Sequence, residues 1–79
     1  MNMQETKRFL EIALNEAEKA SKKSEVPVGA VLSLNGKIIS KAHNLIECKS
    51  DATAHAEIIA LRKAAKKLKN WRLNGTVLY

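Results

Sequence analysis

The segment Asp51-Ala52-Thr53-Ala54-His55-Ala56-Glu57 holds the residue types best suited to chemistry: an imidazole and a carboxylate two positions apart, where an apolar helical pattern begins. At about 3.6 residues per turn, side chains two apart are rotated by roughly 200°. On the body of a helix they would face different ways. At the N-terminal tip both can serve a site lying off the end. That tip carries free N–H groups and partial positive charge. A carboxylate there is stabilised as the anion, and a neutral imidazole there is disfavoured from protonating, which suits a metal ligand. The chemistry such a pair can support is metal-assisted attack of water. The histidine holds zinc, the zinc acidifies its bound water, and the glutamate carries that water's proton to the leaving group. A His-x-Glu triplet is also short enough to arise at an ordinary solvated helix start, so its context decides.

The elements that must position this pair can be read from periodicity. The helix carrying it is predicted over 54–68, with Thr53 as its cap. Ile58, Leu61, Ala65 and Leu68 form its apolar stripe, with Ala64 beside them, and Asn70 or Asn74-Gly75 marks its exit. Upstream, residues 4–22 read as an amphipathic helix. Its stripe is Leu10, Ala13, Leu14, Ala17 and Ala20 or Ser21, widened by Phe9 and Ile12, with Glu5, Glu11, Glu16 and Glu18 outside it. Pro27 ends that helix's reach. Residues 28–34 suit a strand covered on both faces. Asn35-Gly36 is a hairpin turn, and 37–43 is the returning strand. Residues 44–53 read as a polar loop, and 76–79 as a third strand, which leaves an unpaired edge that invites association. Helix, hairpin, helix, strand is a layered α/β order. Three strands are few for a self-sufficient core.

Composition bounds the partners. The chain has 79 residues, one small domain or part of one, with 14 Lys and Arg against 8 Asp and Glu, a net charge of +6. No acid follows Glu57, while Arg62, Lys63, Lys66, Lys67, Lys69 and Arg72 do. That stretch is either a solvated helix face or a surface for a polyanion such as RNA. The single cysteine, Cys48, excludes an internal disulfide and a Cys-rich metal knuckle within these residues. No apolar run reaches the roughly 18 residues of a membrane span. MNMQETKRF has no apolar signal core, so a cytoplasmic protein without membrane partners is expected. Trp71 is expected to pack at the helix exit.

Four segments together carry a resemblance: Glu25-Val26-Pro27-Val28-Gly29-Ala30-Val31; His43-Asn44; Thr53-Ala54-His55-Ala56-Glu57-Ile58 with Ala60-Leu61-Arg62; and Asn70-Trp71-Arg72-Leu73 followed by Thr76-Val77-Leu78-Tyr79. In order and near-spacing they resemble the N-terminal half of the bacterial tRNA-specific adenosine deaminases, within the zinc-dependent cytidine deaminase-like superfamily. The resemblance implies the first part of a three-layer α/β/α fold over residues 1–79. It implies hydrolytic deamination of adenosine to inosine at the wobble position of a tRNA anticodon loop, on an extruded base. It makes His55 a zinc ligand and Glu57 the proton shuttle. Asn44 would hydrogen-bond the nucleoside, and Val26 and Ala56 would line the base pocket. The family pattern continues after the third strand with a Pro-Cys-x-x-Cys segment bearing the other zinc ligands, whereas this sequence stops at Tyr79. A truncated domain is therefore implied, inactive and not retaining zinc alone, with a complementing C-terminal half or a homodimer as partner. A substitute site from His43, Cys48 and His55 is disfavoured by spacing. The other readings are a non-catalytic remnant, a small basic RNA-binding module, and a cytidine or free-base deaminase.

Overall fold

The computed structural model describes residues 3–79, which form α1 (Met3–Lys22), β1 (Gly29–Leu34), β2 (Lys37–His43), α2 (Ile46–Lys49), α3 (Ala56–Leu68) and β3 (Thr76–Leu78). The strands make one sheet in the order β2-β1-β3, and β1 is antiparallel to both neighbours. The helices α1 and α3 lie on opposite faces. Phe9, Ala13 and Val31 form the core under α1, while Ala30, Ala42, Ala54, Ala56, Ile59 and Ala60 form the core under α3. Burial of Ala30 through Ser33 on both faces explains the nearly unbroken apolar run of β1.

The hairpin turns at Asn35 (φ 52°) and Gly36 (φ 76°), the pair of positive angles that a type I′ turn demands. A bulge follows, because Leu32 pairs with Ser40 and Ser33 with Ile38, leaving Ile39 as the extra residue. Without it, Ile38 and Ser40 would share a face. With it, Ile38 packs beside Phe9 under α1, and the Ser40 hydroxyl donates to the Ala60 carbonyl of α3 at 2.8 Å.

The helix α3 buries a different line from the predicted one, and α1 buries Phe9, Ala13 and Ala20 of its predicted stripe but Glu16 in place of the leucines. In α1 the buried residues are Phe9, Ala13, Glu16 and Ala20, whereas Leu10 and Leu14 are 47% and 64% exposed. Leucines do not decide the face here. Gly29 brings β1 close to the α1 backbone at Ala13 and Ala17, and Glu16 is tolerated on the buried line there because Lys19 and His43 satisfy its carboxylate. In α3 the line is Ala56, Ile59, Ala60 and Ala64; Ile58, Leu61 and Ala65 sit at its flanks and Leu68 is exposed. Alanines let α3 approach the small residues Ala30, Ser40 and Ala42 of the sheet.

The 44–53 segment is not all loop, since it contains the short α2, which Ser50 ends in a left-handed conformation. Trp71 does not pack at the helix exit. It is 77% exposed, with the Arg72 guanidinium 4.8 Å above its ring.

Candidate active site

Three chain segments are stitched together at the end of the sheet from which β2 leaves. The Asn44 amide donates to the Val28 carbonyl at 3.2 Å, and the Leu45 amide donates to the Ala54 carbonyl at 3.0 Å. The Asn44 side chain closes the set, because its Oδ1 accepts from the Ala56 amide at 2.7 Å. The α3 helix therefore starts differently from the sequence reading. Thr53 does not cap it; the Thr53 hydroxyl and amide both donate to Asp51 Oδ1, at 2.7 and 2.9 Å. His55 occupies the N-cap position in extended backbone (φ −74°, ψ 148°) and makes no capping bond with its side chain. The first helical N–H, that of Ala56, is satisfied instead by Asn44, twelve positions before it.

This capping at a distance leaves the imidazole unspent. His55 is exposed and Glu57 is half-buried, one on each side of the fully buried Ala56. Asn44 is 4% exposed, and its Nδ2 donates to no protein group among the described residues. Val26 stands 65% exposed before Pro27 and Val28. Asn44, His55, Ala56 and Glu57 are thus joined in one place, with Val26 two residues from the Val28 strut. Ala56 is fully buried in the core under α3.

Two carboxylates hold this region in place: Glu25, and Glu16, which the sequence reading put outside the buried stripe. Glu25, 6% exposed, accepts from the Glu47 amide at 3.0 Å and the Cys48 amide at 2.7 Å, fixing α2 to the segment before Pro27. A hydrogen bond from the Cys48 thiol and these amides keep the Glu25 carboxyl below the ordinary glutamate range, and the same contact pushes the Cys48 thiol up. Glu16 Oε1 lies 3.0 Å from His43 Nδ1 and its Oε2 lies 2.7 Å from Lys19 Nζ, while Lys23 Nζ approaches His43 Nε2 at 3.1 Å. Burial would raise the Glu16 carboxyl, but its hydrogen bonds with Lys19 and His43 outweigh burial and hold it below its ordinary value. The signal that could have found Glu16 is its spacing, three after Ala13 and four before Ala20, on a line otherwise buried.

The basic stretch contributes a second feature nearby. Lys49, Arg62, Lys63 and Lys66 surround a groove of about 230 Å³ whose floor is Ala54 and Ile59. Asp51 enters the same groove.

Zinc bound by a catalytic site ordinarily has three protein ligands and a water. Among the described residues, no group of three or more His, Cys, Asp or Glu is arranged to hold a metal ion. His43 is engaged by Glu16 and Lys23, which leaves His55 as the imidazole without a side-chain partner among the described residues. The residues present fit one corner of such a site. Among the described residues, no helix is long and apolar enough to cross a membrane.

Residues 3–79 match the family model for the cytidine and deoxycytidylate deaminase zinc-binding region. The chain belongs to this deaminase family. Among its deaminase relatives, the tRNA-specific adenosine deaminase of Bacillus subtilis is 47% identical over 77 residues, which cover 98% of this chain and 48% of that protein. The Aquifex aeolicus protein of the same description is 51% identical over 71 residues, covering 90% and 47%. The chloroplastic tRNA(adenine(34)) deaminase of Arabidopsis thaliana is 54% identical over 71 residues, 5% of its length. The chain thus spans about half the length of the bacterial deaminases it matches. A structure from a study of A-to-I editing by tRNA:A34 deaminases superimposes with a TM-score of 0.93 at 45% identity, covering 95% of this chain and 58% of that one. The guanine deaminase of Bacillus subtilis superimposes at 0.88 with 36% identity, covering all of this chain and 49% of that one. The layered α/β order read from helix, hairpin, helix and strand, and the first part of the deaminase fold that the resemblance implied, are therefore present in what this chain provides.

Proposed function

We propose that this chain provides the His-x-Glu portion of a deaminase that converts adenosine to inosine at the wobble position of a tRNA. The observation that carries the proposal is 47–54% identity to tRNA adenosine deaminases over at least 90% of the chain. The site geometry agrees with it: a distant asparagine replaces local capping, which leaves an imidazole and a carboxylate free at a helix tip.

Each residue has a role in this reading. His55 is one zinc ligand, and the remaining donors come from polypeptide outside these 79 residues. Bound zinc would lower the pKa of a water to near neutrality. Glu57 takes a proton from the attacking water and delivers it to the departing amine, so that adenosine and water become inosine and ammonia. Asn44, anchored through Oδ1, presents its Nδ2 to the nucleoside. Val26 forms the exposed lip of the base pocket, and Ala56 its floor. Residues 1–79 are then part of a deaminase domain whose RNA substrate is an anticodon loop. The cationic groove around Arg62, Lys63 and Lys66 suits the flanking phosphates.

The test is reconstitution. The chain is combined with the half of the Bacillus subtilis relative that it does not match, loaded with zinc, and given an anticodon stem-loop with a wobble adenosine. Inosine should form only when both halves are present. Glu57→Gln should lower the rate by about 10²- to 10⁴-fold, the usual worth of a general acid–base group, with zinc content retained. His55→Ala should lose the zinc. An undiminished rate in Glu57→Gln sinks the proposed mechanism.

A further inference from the structure

The basic end of α3 can be a solvated helix face or a surface for a polyanion, and Trp71 separates the two. From Lys66 to Arg72 every residue is exposed, and four of the seven are cations: Lys66, Lys67, Lys69 and Arg72. No acid follows Glu57, and among the described residues none of these four forms an ion pair. Solvation accounts for lysines. It does not account for an indole 77% exposed in their midst. The Arg72 guanidinium, 4.8 Å from the ring centroid, covers one face of that indole. Phe9 and Tyr79, the other aromatics, pair with each other, so no aromatic ring covers its second face. The backbone beneath is tied on both sides. The Asn70 amide donates to the Ala65 carbonyl at 3.0 Å, and Asn70 Oδ1 accepts from the Arg72 amide at 3.0 Å. Beyond the indole, the Thr76 hydroxyl and amide donate to the Leu73 carbonyl at 2.6 and 3.2 Å.

We propose that Trp71 and Arg72, with Lys66 and Lys67 in the last turn of α3, form a contact for single-stranded RNA. An unpaired base stacks on the open face of the indole, and the two lysines take neighbouring phosphates. Each part has its reason. Every base has a flat π face, so an exposed indole binds it with little regard to sequence. Phosphates neutralised by lysine release their counterions, which supplies affinity without base contacts. A platform whose backbone is already tied loses little freedom on binding. An anionic membrane offers the same charge, but it takes a broad apolar helix face. Between Lys66 and Arg72 the only apolar side chain beside Trp71 is Leu68. The contact lies at the other end of α3 from His55 and Glu57, roughly 18 Å along a helix of 13 residues. It shares RNA with the proposed function as a partner, but needs neither zinc nor deamination.

Trp71 is the only tryptophan of the chain, so its fluorescence reports on this surface alone. The probe is a fluorescein-labelled oligoadenylate of about twelve nucleotides, within the usual span of a single-strand site. An abasic oligomer of the same length is its control. The oligoadenylate should quench the indole, and the abasic backbone should not. By anisotropy of the label, Trp71→Leu should weaken binding about tenfold or more, the usual worth of one stacked base. Trp71→Phe should keep most of the affinity. Lys67→Ala should flatten the plot of log affinity against log salt by about 0.7. All these positions are exposed, so circular dichroism should match that of the parent chain. Equal quenching by the abasic oligomer overturns the proposal, as does a Trp71→Leu chain that binds like the parent. So does a blue shift on anionic phosphatidylglycerol vesicles with no response to RNA, or loss of the quenching when the unmatched half of the Bacillus subtilis deaminase is added. RNA bound as described by halves that yield no inosine sinks the function and leaves this surface standing; inosine formed with no quenching does the reverse.

Discussion

Around β2, each buried polar side chain has a partner and alanines close the gap to α3; around β3, leucines and valine stand in solvent beside a bare strand edge. The first region is where His55, Glu57 and Asn44 sit. Its order comes from polar side chains reaching across the sequence: Asn44 to Ala56, Glu16 to His43, Glu25 to the start of α2, Ser40 to Ala60. The second region is made of side chains that need apolar company and have too little of it. The contrast teaches that the segment carrying His55 and Glu57 can be tied down by polar contacts from distant residues while, among the described residues, the far side of the same sheet stays open.

Gly29 is where the two regions meet, and its substitution should have the largest effect. A methyl group there would lie 1.9 Å from the Ala13 carbonyl oxygen, 2.7 Å from the Ala17 amide and 2.9 Å from the Glu16 Cβ. The first two are backbone atoms, so α1 as a whole must lift. Gly29→Ala should then cost about 3 kcal/mol or more, the upper end of overpacking losses, and in so small a domain the cooperative thermal transition should disappear. Circular dichroism against temperature is the measurement. An unchanged midpoint would mean that α1 does not seat on β1 at that distance, and the comparison between a closed and an open side would lose its hinge.

The fold was largely legible because its signals are local. Asn35-Gly36 fixes the hairpin through positive φ, Pro27 bounds the chain between α1 and β1, and the apolar run of β1 announces two covered faces. The α3 face was misread by roughly one residue, and in α1 Leu10 and Leu14 were placed on a line that buries Phe9, Ala13, Glu16 and Ala20. Periodicity weighs leucine over alanine, but the contact distance set by Gly29 and by the small residues under α3 favours alanine. At the site, the His55–Glu57 pair was visible as a motif at a helix start. The cap was not, because Thr53 is the local candidate and Asn44 is reached only once the hairpin has folded. Glu25 was invisible for the same reason, both of its amide partners being more than twenty positions away, and Glu16 has one such partner, His43, beside the local Lys19.

Those carboxylates give the next largest effect, an acid sensitivity of the closed region. Glu16 is held below its ordinary value of 4.5, burial being outweighed by the hydrogen bonds of Lys19 and His43. A carboxyl whose folded pKa is depressed favours the native state while ionised. Its contribution is complete above about pH 4.5 and is lost as pH falls through the lower folded value. Glu25 shifts in the same direction and adds to the same fall. The melting temperature should therefore hold between neutrality and about pH 5, then drop. Glu16→Gln should start lower at neutral pH and decline less steeply, converging on the parent chain in acid. Parallel curves would show that the Glu16–His43–Lys19 cluster contributes nothing to the closed side.

The smallest effect lies at the far end of α3. Lys69 closes that helix at φ 55° and ψ 35°, with the last amides bonded back to the Ala65 and Lys66 carbonyls. A left-handed backbone brings a side chain's Cβ against the following carbonyl, and glycine has no Cβ to bring. Glycine also loses more freedom on folding, so only part of the strain relief survives as stability. Lys69→Gly should gain about 0.5 kcal/mol, which raises the melting point by roughly 2–4 °C in a chain of this size. The gain is confined to α3 and its seat on Ala30, Ser40 and Ala42. It should leave the rate of inosine formation by the reconstituted halves unchanged, because neither Lys69 nor its bonding partners touch the Asn44–Ala56 link at the start of the helix. If the substitution instead altered that rate, strain at the end of α3 would be felt along the whole helix, and its two ends would have to be treated as one cooperative unit.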